Sequence, residues 1–206
     1  MTRSHLTRRE ATQALLGWGL LGGGLVGSPT AQAHQLAGRV VPPQRPPSLP
    51  LQMTDGRRLD VSAVLAGQVT AVQMMFTTCS ATCPIQGALF AAVRDGLGTA
   101  WPQARLLSLS LDPLTDTPQS LAAWLARFGQ AGPVGSAGPR WQAARPAVEA
   151  LPKWVDFLKS GQSGPDRHTG QVYVFDKLGR LAMRTVDFPP AEQVIGMLTG
   201  LIKLSP

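Results

Sequence analysis

Cysteine is scarce in this chain: 206 residues hold two, Cys79 and Cys83. Any thiol chemistry therefore rests on one pair. Basic runs are missing as well. The formal net charge is +7, but the lysines and arginines are scattered and no aromatic stripe is interleaved with them, so no nucleic-acid surface is expected. The excess suits solubility, with an acidic partner or peripheral nearness to a membrane as the functional alternative. Apolar runs are short. Ala14 to Val26 is uncharged but Gly-rich, and it falls below the ~20 residues of a membrane-spanning helix. There is no internal repeat.

The N-terminus has the layout of an export signal. Arg3, Arg8 and Arg9 precede the apolar stretch, and Ala31-Gln-Ala33 supplies a small-residue cleavage site. Thr7-Arg8-Arg9 resembles a twin-arginine signal, although Ala11 and Thr12 stand where bulkier apolar residues are usual. No cysteine lies near the cleavage site to carry a lipid. The expected mature protein starts near His34 and is soluble in the periplasm or another extracytoplasmic space; an uncleaved N-terminal anchor is the alternative. Removing residues 1–33 leaves roughly 170 residues, the size of one domain.

In an exported protein two cysteines ordinarily form a structural disulfide. Here the spacing argues otherwise. A bridge from Cys79 to Cys83 closes a very short loop and removes little entropy from the unfolded chain. Two active roles remain: a pair that cycles between dithiol and disulfide, or a pair that holds a soft metal ion.

Residues 34–51 carry five prolines and read as an extended arm. Met53-Thr-Asp-Gly56 is a turn, and Arg57 to Val61 a short strand. Thr70 to Phe76 is almost wholly apolar, the pattern of a strand buried on both faces of an α/β sheet. Pro84 suits the first turn of a helix, with Ile85, Leu89, Ala92 and Val93 at helical spacing and an end near Gly96-Leu-Gly98. Arg105 to Leu111 is a second buried strand. Asp116 or Thr117 caps a helix that carries Leu121, Trp124, Leu125 and Phe128. Gly129 to Arg140 and Gln162 to Gly170 are loops, with a helix expected within Arg145 to Lys159. Val172 to Phe175, Asp176-Lys-Leu-Gly179 and Leu181 to Thr185 form a hairpin, and Pro190 opens a last helix. A parallel βαβ unit, then a hairpin and a closing helix, is the thioredoxin-like α/β arrangement: a central mixed sheet flanked by helices, spanning residues 52–206. It places the cysteines after the first core strand, at a helix N-terminus whose dipole and free N–H groups favour a thiolate.

Thiolates suit Cu(I) and other soft ions, and a third ligand accommodates Cu(II). Of three histidines, His5 lies in the signal and His34 in the arm. His168 lies in Gly164-Pro-Asp-Arg-His-Thr-Gly170, a loop that in a thioredoxin fold returns to the edge where the first helix begins, so it can reach both thiols; an ordinary loop histidine is the other reading. Asp112 and Asp116 read as cap and turn rather than as a carboxylate pair. Met74 and Met75 read as core rather than thioether ligands, and Trp124, Trp141 and Trp154 as core or loop anchors. Asp166 and Arg167 could tune His168 or touch a partner.

Phe76-Thr-Thr-Cys-Ser-Ala-Thr-Cys-Pro84, Leu109-Ser-Leu-Asp-Pro-x-x-Asp-Thr-Pro118, Trp124-Leu-Ala-Arg-Phe-Gly129 and the Asp166-x-His168 loop together resemble the Sco/SenC family, from about Pro50 to Leu204. The resemblance implies an exported thioredoxin-fold copper protein. It also implies copper bound by Cys79, Cys83 and His168 and delivered to the Cu-A site of cytochrome oxidase, with a subunit of that enzyme as the acceptor. Keeping the acceptor's thiols reduced, a thiol–disulfide reductase activity carried by Cys79 and Cys83, is the alternative role. This chain departs from the pattern in having Ser80-Ala81-Thr82 where an acidic residue is usual, Thr169 where Ser usually follows the histidine, and a cleavable signal in place of a membrane anchor.

Overall fold

Residues 69 to 75 set the centre of the molecule. In the computed structural model, which describes residues 37–129, 140–158 and 169–204, Val69–Met75 is a strand buried at every position. It is the fourth of eight strands in one sheet: β1 (Gly38–Gln44), β2 (Pro50–Met53), β3 (Arg58–Asp60), β4 (Val69–Met75), β5 (Ala104–Ser110), β6 (Trp141–Pro146), β7 (Tyr173–Phe175) and β8 (Leu181–Arg184). Their spatial order is β1-β8-β7-β4-β5-β6-β2-β3. β4 pairs in parallel with β5, and β5 with β6. β7 runs antiparallel to β4 and returns as the β7–β8 hairpin.

Among the described residues five helices cover the sheet: α1 (Val61–Leu65), α2 (Cys83–Leu97), α3 (Pro118–Arg127), α4 (Leu151–Leu158) and α5 (Ala191–Leu204). The alternation of side chains along β4 divides the core in two. Val69, Ala71 and Met75 join Phe90, Val93, Trp124, Trp141 and Leu198 beneath α2, α3 and α5. Val72 and Met74 join Val61, Leu65, Leu151 and Trp154 beneath α1 and α4. A strand covered on both faces must be apolar throughout, as β4 is. Two helix ends show local signals. Thr117 accepts from the Ser120 N–H in a capping box at the start of α3, and Gly98, at φ 50°, closes α2.

The architecture is the expected thioredoxin-like α/β fold, with differences at its margins. The Pro-rich stretch is extended, but Gly38–Gln44 is laid against β8 as an edge strand rather than standing free as an arm. Proline is tolerated at an edge because a missing donor there breaks no ladder. Trp141–Pro146, placed at the boundary of a loop and a helix from sequence, is a strand. The helix expected within Arg145 to Lys159 is α4, Leu151–Leu158; it begins after Pro146, which lies in β6 and is followed by a turn. Asp116 is not the cap of α3; Thr117 is. Among the described residues no helix is long and apolar enough to cross a membrane.

Candidate metal centre

The polypeptide leaves β4 at Met75, crosses seven residues and enters α2 at Cys83. A tether far along the chain holds that crossing. The Asp116 carboxylate, fully buried, accepts from the Thr77 N–H at 3.1 Å, from the Thr77 hydroxyl at 2.5 Å and from the Ser110 hydroxyl at 2.5 Å. A buried carboxylate is tolerable only when its oxygens are satisfied, and these donors satisfy them. Thr77 is thereby fixed two residues before Cys79. The Cys79 N–H then closes a turn onto the Phe76 carbonyl at 3.3 Å.

Cys79 is half-buried and Cys83 is 2 % exposed. Thr82 occupies the N-cap of α2 without a side-chain cap bond. The missing acceptor is supplied by sulfur: the Cys83 N–H donates to Cys79 Sγ at 3.4 Å, and the Thr82 hydroxyl lies 3.8 Å from the same atom. Free N–H groups at a helix start favour an anion. Burial alone raises the pKa of the Cys79 thiol, but donation from the Cys83 N–H and thiol, the Ala81 N–H and the Thr82 hydroxyl outweighs it and brings the value to about 6. Hydrogen bonds, not an ion pair, hold this thiolate. Cys83 goes the other way. Burial pushes it up to about 12, and its donation to Cys79 and the charge beside it add to the rise. At neutral pH the pair is one accessible thiolate backed by one buried thiol.

On the same face of α2, one turn beyond Cys83, the buried Gln86 donates through Nε2 to the Thr169 carbonyl at 2.7 Å. This draws the segment before β7 against α2, with Thr169 held by a residue one turn beyond Cys83. His168, His34, Asp166 and Arg167 lie outside the described residues. Among the described residues no three His, Cys, Asp or Glu side chains converge as a metal site. Met74 and Met75 are buried in the core, as are Trp124, Trp141 and Trp154. Asp112 does not pair with Asp116; its carbonyl closes the turn by accepting the Thr115 and Asp116 N–H groups. Sequence reasoning missed two polar residues here, Asp116 as the tether and Gln86 as the strut. The only signal for Asp116 was its place in the Asp-Pro-x-x-Asp-Thr-Pro segment, and for Gln86 there was none.

The donor set fits a soft ion. A thiolate present at neutral pH, with a second sulfur beside it, matches Cu(I) better than a hard cation. The same pair can also exchange with a disulfide, because the thiolate is the nucleophile and a neighbouring thiol can resolve the product.

No curated protein sequence matches the chain. Solved structures do. A SCO1/SenC family lipoprotein from Bacillus anthracis str. Ames has 20 % identity and a TM-score of 0.62, over 78 % of this chain and 96 % of that one. ScoI of Bradyrhizobium japonicum, solved with copper bound, has 18 % identity and a TM-score of 0.60, over 76 % and 99 %. BsSco, described as having a disulfide switch and as a member of the Sco family of cytochrome c oxidase assembly proteins, has 18 % identity and a TM-score of 0.61, over 80 % and 96 %. These identities speak for the fold. The family model described as SCO1/SenC matches residues 50–203, from β2 through α5, and on that match the chain belongs to the SCO1/SenC family.

Proposed function

We propose that the protein is a copper metallochaperone for assembly of the Cu-A site of cytochrome c oxidase, with copper as its cargo. Cys79 and Cys83 are the sulfur ligands and His168 the nitrogen ligand. The observation that carries this reading is the asymmetry of the thiols: Cys79 is an anion at neutral pH, at the open start of α2, while Cys83 stands behind it in the core. The copper-bound ScoI and BsSco, a member of a family of cytochrome c oxidase assembly proteins, support it. The acceptor is a cytochrome oxidase subunit, reached outside the cytoplasm after export and cleavage near Ala33. Titration of the reduced protein with copper tests the reading. One equivalent should bind, and substitution of Cys79, Cys83 or His168 by alanine should weaken it. Failure of the reduced wild type to bind copper would falsify the proposal. N-terminal sequencing of the exported protein tests the cleavage site.

The same asymmetry favours a second reading, reduction of a disulfide in the acceptor. The Cys79 thiolate attacks one acceptor sulfur, forming a mixed disulfide and releasing the other as a thiolate. Cys83 then gives up its proton and attacks Cys79 Sγ, which expels the second acceptor thiolate. The chain is left with a Cys79–Cys83 disulfide, and the acceptor with two thiols. Stoichiometric reduction of an oxidised acceptor fragment, abolished in Cys79→Ser, tests this. An acceptor still oxidised after mixing with excess reduced protein excludes it.

A further inference from the structure

Arg145, near the end of β6, has no ion-pair partner among the described residues. Its guanidinium is fixed all the same. Nε–H donates to Gln52 Oε1 at 2.9 Å, and Nη1–H donates to the Pro113 carbonyl at 3.2 Å and, at a longer 3.5 Å, to the Asp116 carbonyl. All three acceptors are neutral, and Nη2 has no partner among the described residues. A planar fork of donors held in this way presents its free edge in a set direction, which suits a carboxylate.

Register sets a second arginine in line with the first. Gln52 on β2 stands opposite Arg145 on β6, and Arg58 on β3 stands opposite Gln52, so the three share one face of the sheet. Leu51 and Met53 are buried on the other face of β2, while Pro50 is exposed and Gln52 half-buried. Trp141 and Ala143, earlier on the Arg145 side of β6, lie in the core with Leu121 and Trp124 of α3. Beyond them the face opens into a groove of about 690 Å³ that Gln52, Arg58 and Arg145 line. Leu114, 80 % exposed, and Val148, 46 % exposed, stand at its rim. Two carboxylates line it as well. Asp60 accepts the Ser48 hydroxyl and the N–H groups of Leu49 and Ser62, and Glu149 forms no ion pair with either arginine.

We propose that this groove docks an extended acidic segment of a partner protein. One carboxylate pairs with Arg145 through Nη2, a second pairs with Arg58, and apolar neighbours cover Leu114 and Val148. The fixed guanidinium without a counter-ion selects an anion. Size selects a segment over a free ion, because a small carboxylate fills little of the groove and leaves both rim side chains in water. Spacing fits too. Two inter-strand steps set Arg145 and Arg58 about 10 Å apart along the backbone, and alternate residues of an extended chain lie about 7 Å apart, a difference that long side chains bridge. The docked segment lies beside the cysteine loop: the turn that receives Arg145 also holds Thr77, through the Asp116 carboxylate. The inference does not depend on what the cysteines carry.

Titration of isotope-labelled, reduced protein with two pentapeptides, followed by amide NMR, tests it. Both are acetylated and amidated; one alternates leucine with glutamate, the other leucine with glutamine. The glutamate peptide should shift the amides of Gln52, Arg58, Leu114 and Val148 saturably, and the glutamine peptide should bind about tenfold more weakly. Arg145→Gln should weaken the glutamate peptide about tenfold. Arg58→Gln and Leu114→Ser, both at exposed positions, should each weaken it roughly threefold; Glu149→Gln should leave it no weaker. Cys79→Ala/Cys83→Ala should bind it as wild type does, which separates this result from the copper reading. Melting curves establish folding, and if Arg145→Gln does not fold, the two exposed variants decide. No saturable shift, equal binding of the two peptides, shifts confined to other surfaces, or displacement of the peptide by an equal concentration of sodium acetate overturns the proposal.

Discussion

The acidity of Cys79 can be read directly from its rate of alkylation as a function of pH. Its thiol falls from an ordinary 9.0 to about 6. At pH 7 such a group is ~90 % thiolate, against ~1 % for an unshifted one. The ~90-fold gain in thiolate is partly offset, because nucleophilicity falls with basicity. With a Brønsted slope of 0.4–0.5, three pH units cost ~20–30-fold, leaving a net advantage of only ~4-fold over an ordinary cysteine. The absolute rate is therefore a poor test and the shape of the profile a good one. Cys79 should react with a plateau above pH 7 and lose about tenfold by pH 5, while Cys83, buried and raised to about 12, stays unmodified. Iodoacetamide labelling of the reduced protein, with the two peptides resolved by mass spectrometry, reads both at once. In Cys83→Ala the thiol that donates to Cys79 is gone and the backbone N–H remains. A hydrogen bond to a charged group contributes about 1.5 kcal/mol, so the midpoint should rise by roughly one pH unit. A wild-type midpoint near 8 or above, or the same midpoint in both proteins, would refute the account of Cys79 as the sulfur cap of α2.

Further outcomes follow from the same structure. Reduced wild type should become more stable relative to Cys79→Ala/Cys83→Ala as pH rises from about 6 to about 9. Over that range Cys79 is ionised folded and protonated unfolded, so its contribution is present above the unfolded value and lost as pH falls through the folded one. Above about 9 the slope should reverse, because Cys83 keeps its proton in the folded chain up to about 12; urea midpoints that run parallel for the two proteins at all pH values count against it. Asp116→Ala strands the Thr77 N–H and two hydroxyls and should cost about 3 kcal/mol; a loss below about 1 kcal/mol in chemical denaturation would mean the tether is slack. Gly87→Ala places a methyl 2.2 Å from Phe128 Cζ, on a ring packed 5.0 Å from Trp124 and 5.9 Å from Trp141. The substitution should destabilise by ~1–3 kcal/mol, and an unchanged melting temperature would show that the ring can yield.

How much of this was legible in the sequence depended on how local the signal was. β4 and β5 announced themselves because strands covered on both faces have little choice of residue. The β7–β8 hairpin carried its own turn, with Gly179 at φ 69°. α3 carried its own capping box. β6 was missed because Gln142 and Arg145 interrupt its apolar run and Pro146 resembles a helix breaker, while the residues that make it a strand are its neighbours: Leu106 to Leu109 on β5 and Leu51 to Met53 on β2. β1 was hidden among prolines that only an edge position tolerates. At the site, the placement of the cysteines at the start of a helix was a local property and could be read. The functions of Asp116 and Gln86 were not, because each acts on a partner 39 or 83 residues away, and nothing in a single sequence pairs them.

The neutral Ser80-Ala81-Thr82 between the cysteines bears on which chemistry the site favours. A carboxylate in that position would compete with sulfur for the N–H groups at the start of α2 and, being an anion, would raise the pKa of a nearby thiol. Here no such competitor exists, and Cys79 Sγ itself accepts the Cys83 N–H. The thiolate is held by neutral donors, with the Thr82 hydroxyl 3.8 Å from the sulfur. Its negative charge therefore remains available to an incoming cation or to an acceptor sulfur, rather than being spent in an ion pair that either event would first have to break. Copper capture and disulfide attack both begin from this same free thiolate. They differ at the second step, where Cys83 must lose its proton to become either a ligand or a resolving nucleophile. With Cys83 raised to about 12, that proton is the barrier common to both. A mixed disulfide lowers it by removing the Cys79 charge that raises Cys83, and a positive metal ion beside Cys79 would lower it further, by putting a positive neighbour where a negative one stood. On electrostatic grounds the pair is thus better matched to binding a cation than to rapid resolution of a disulfide.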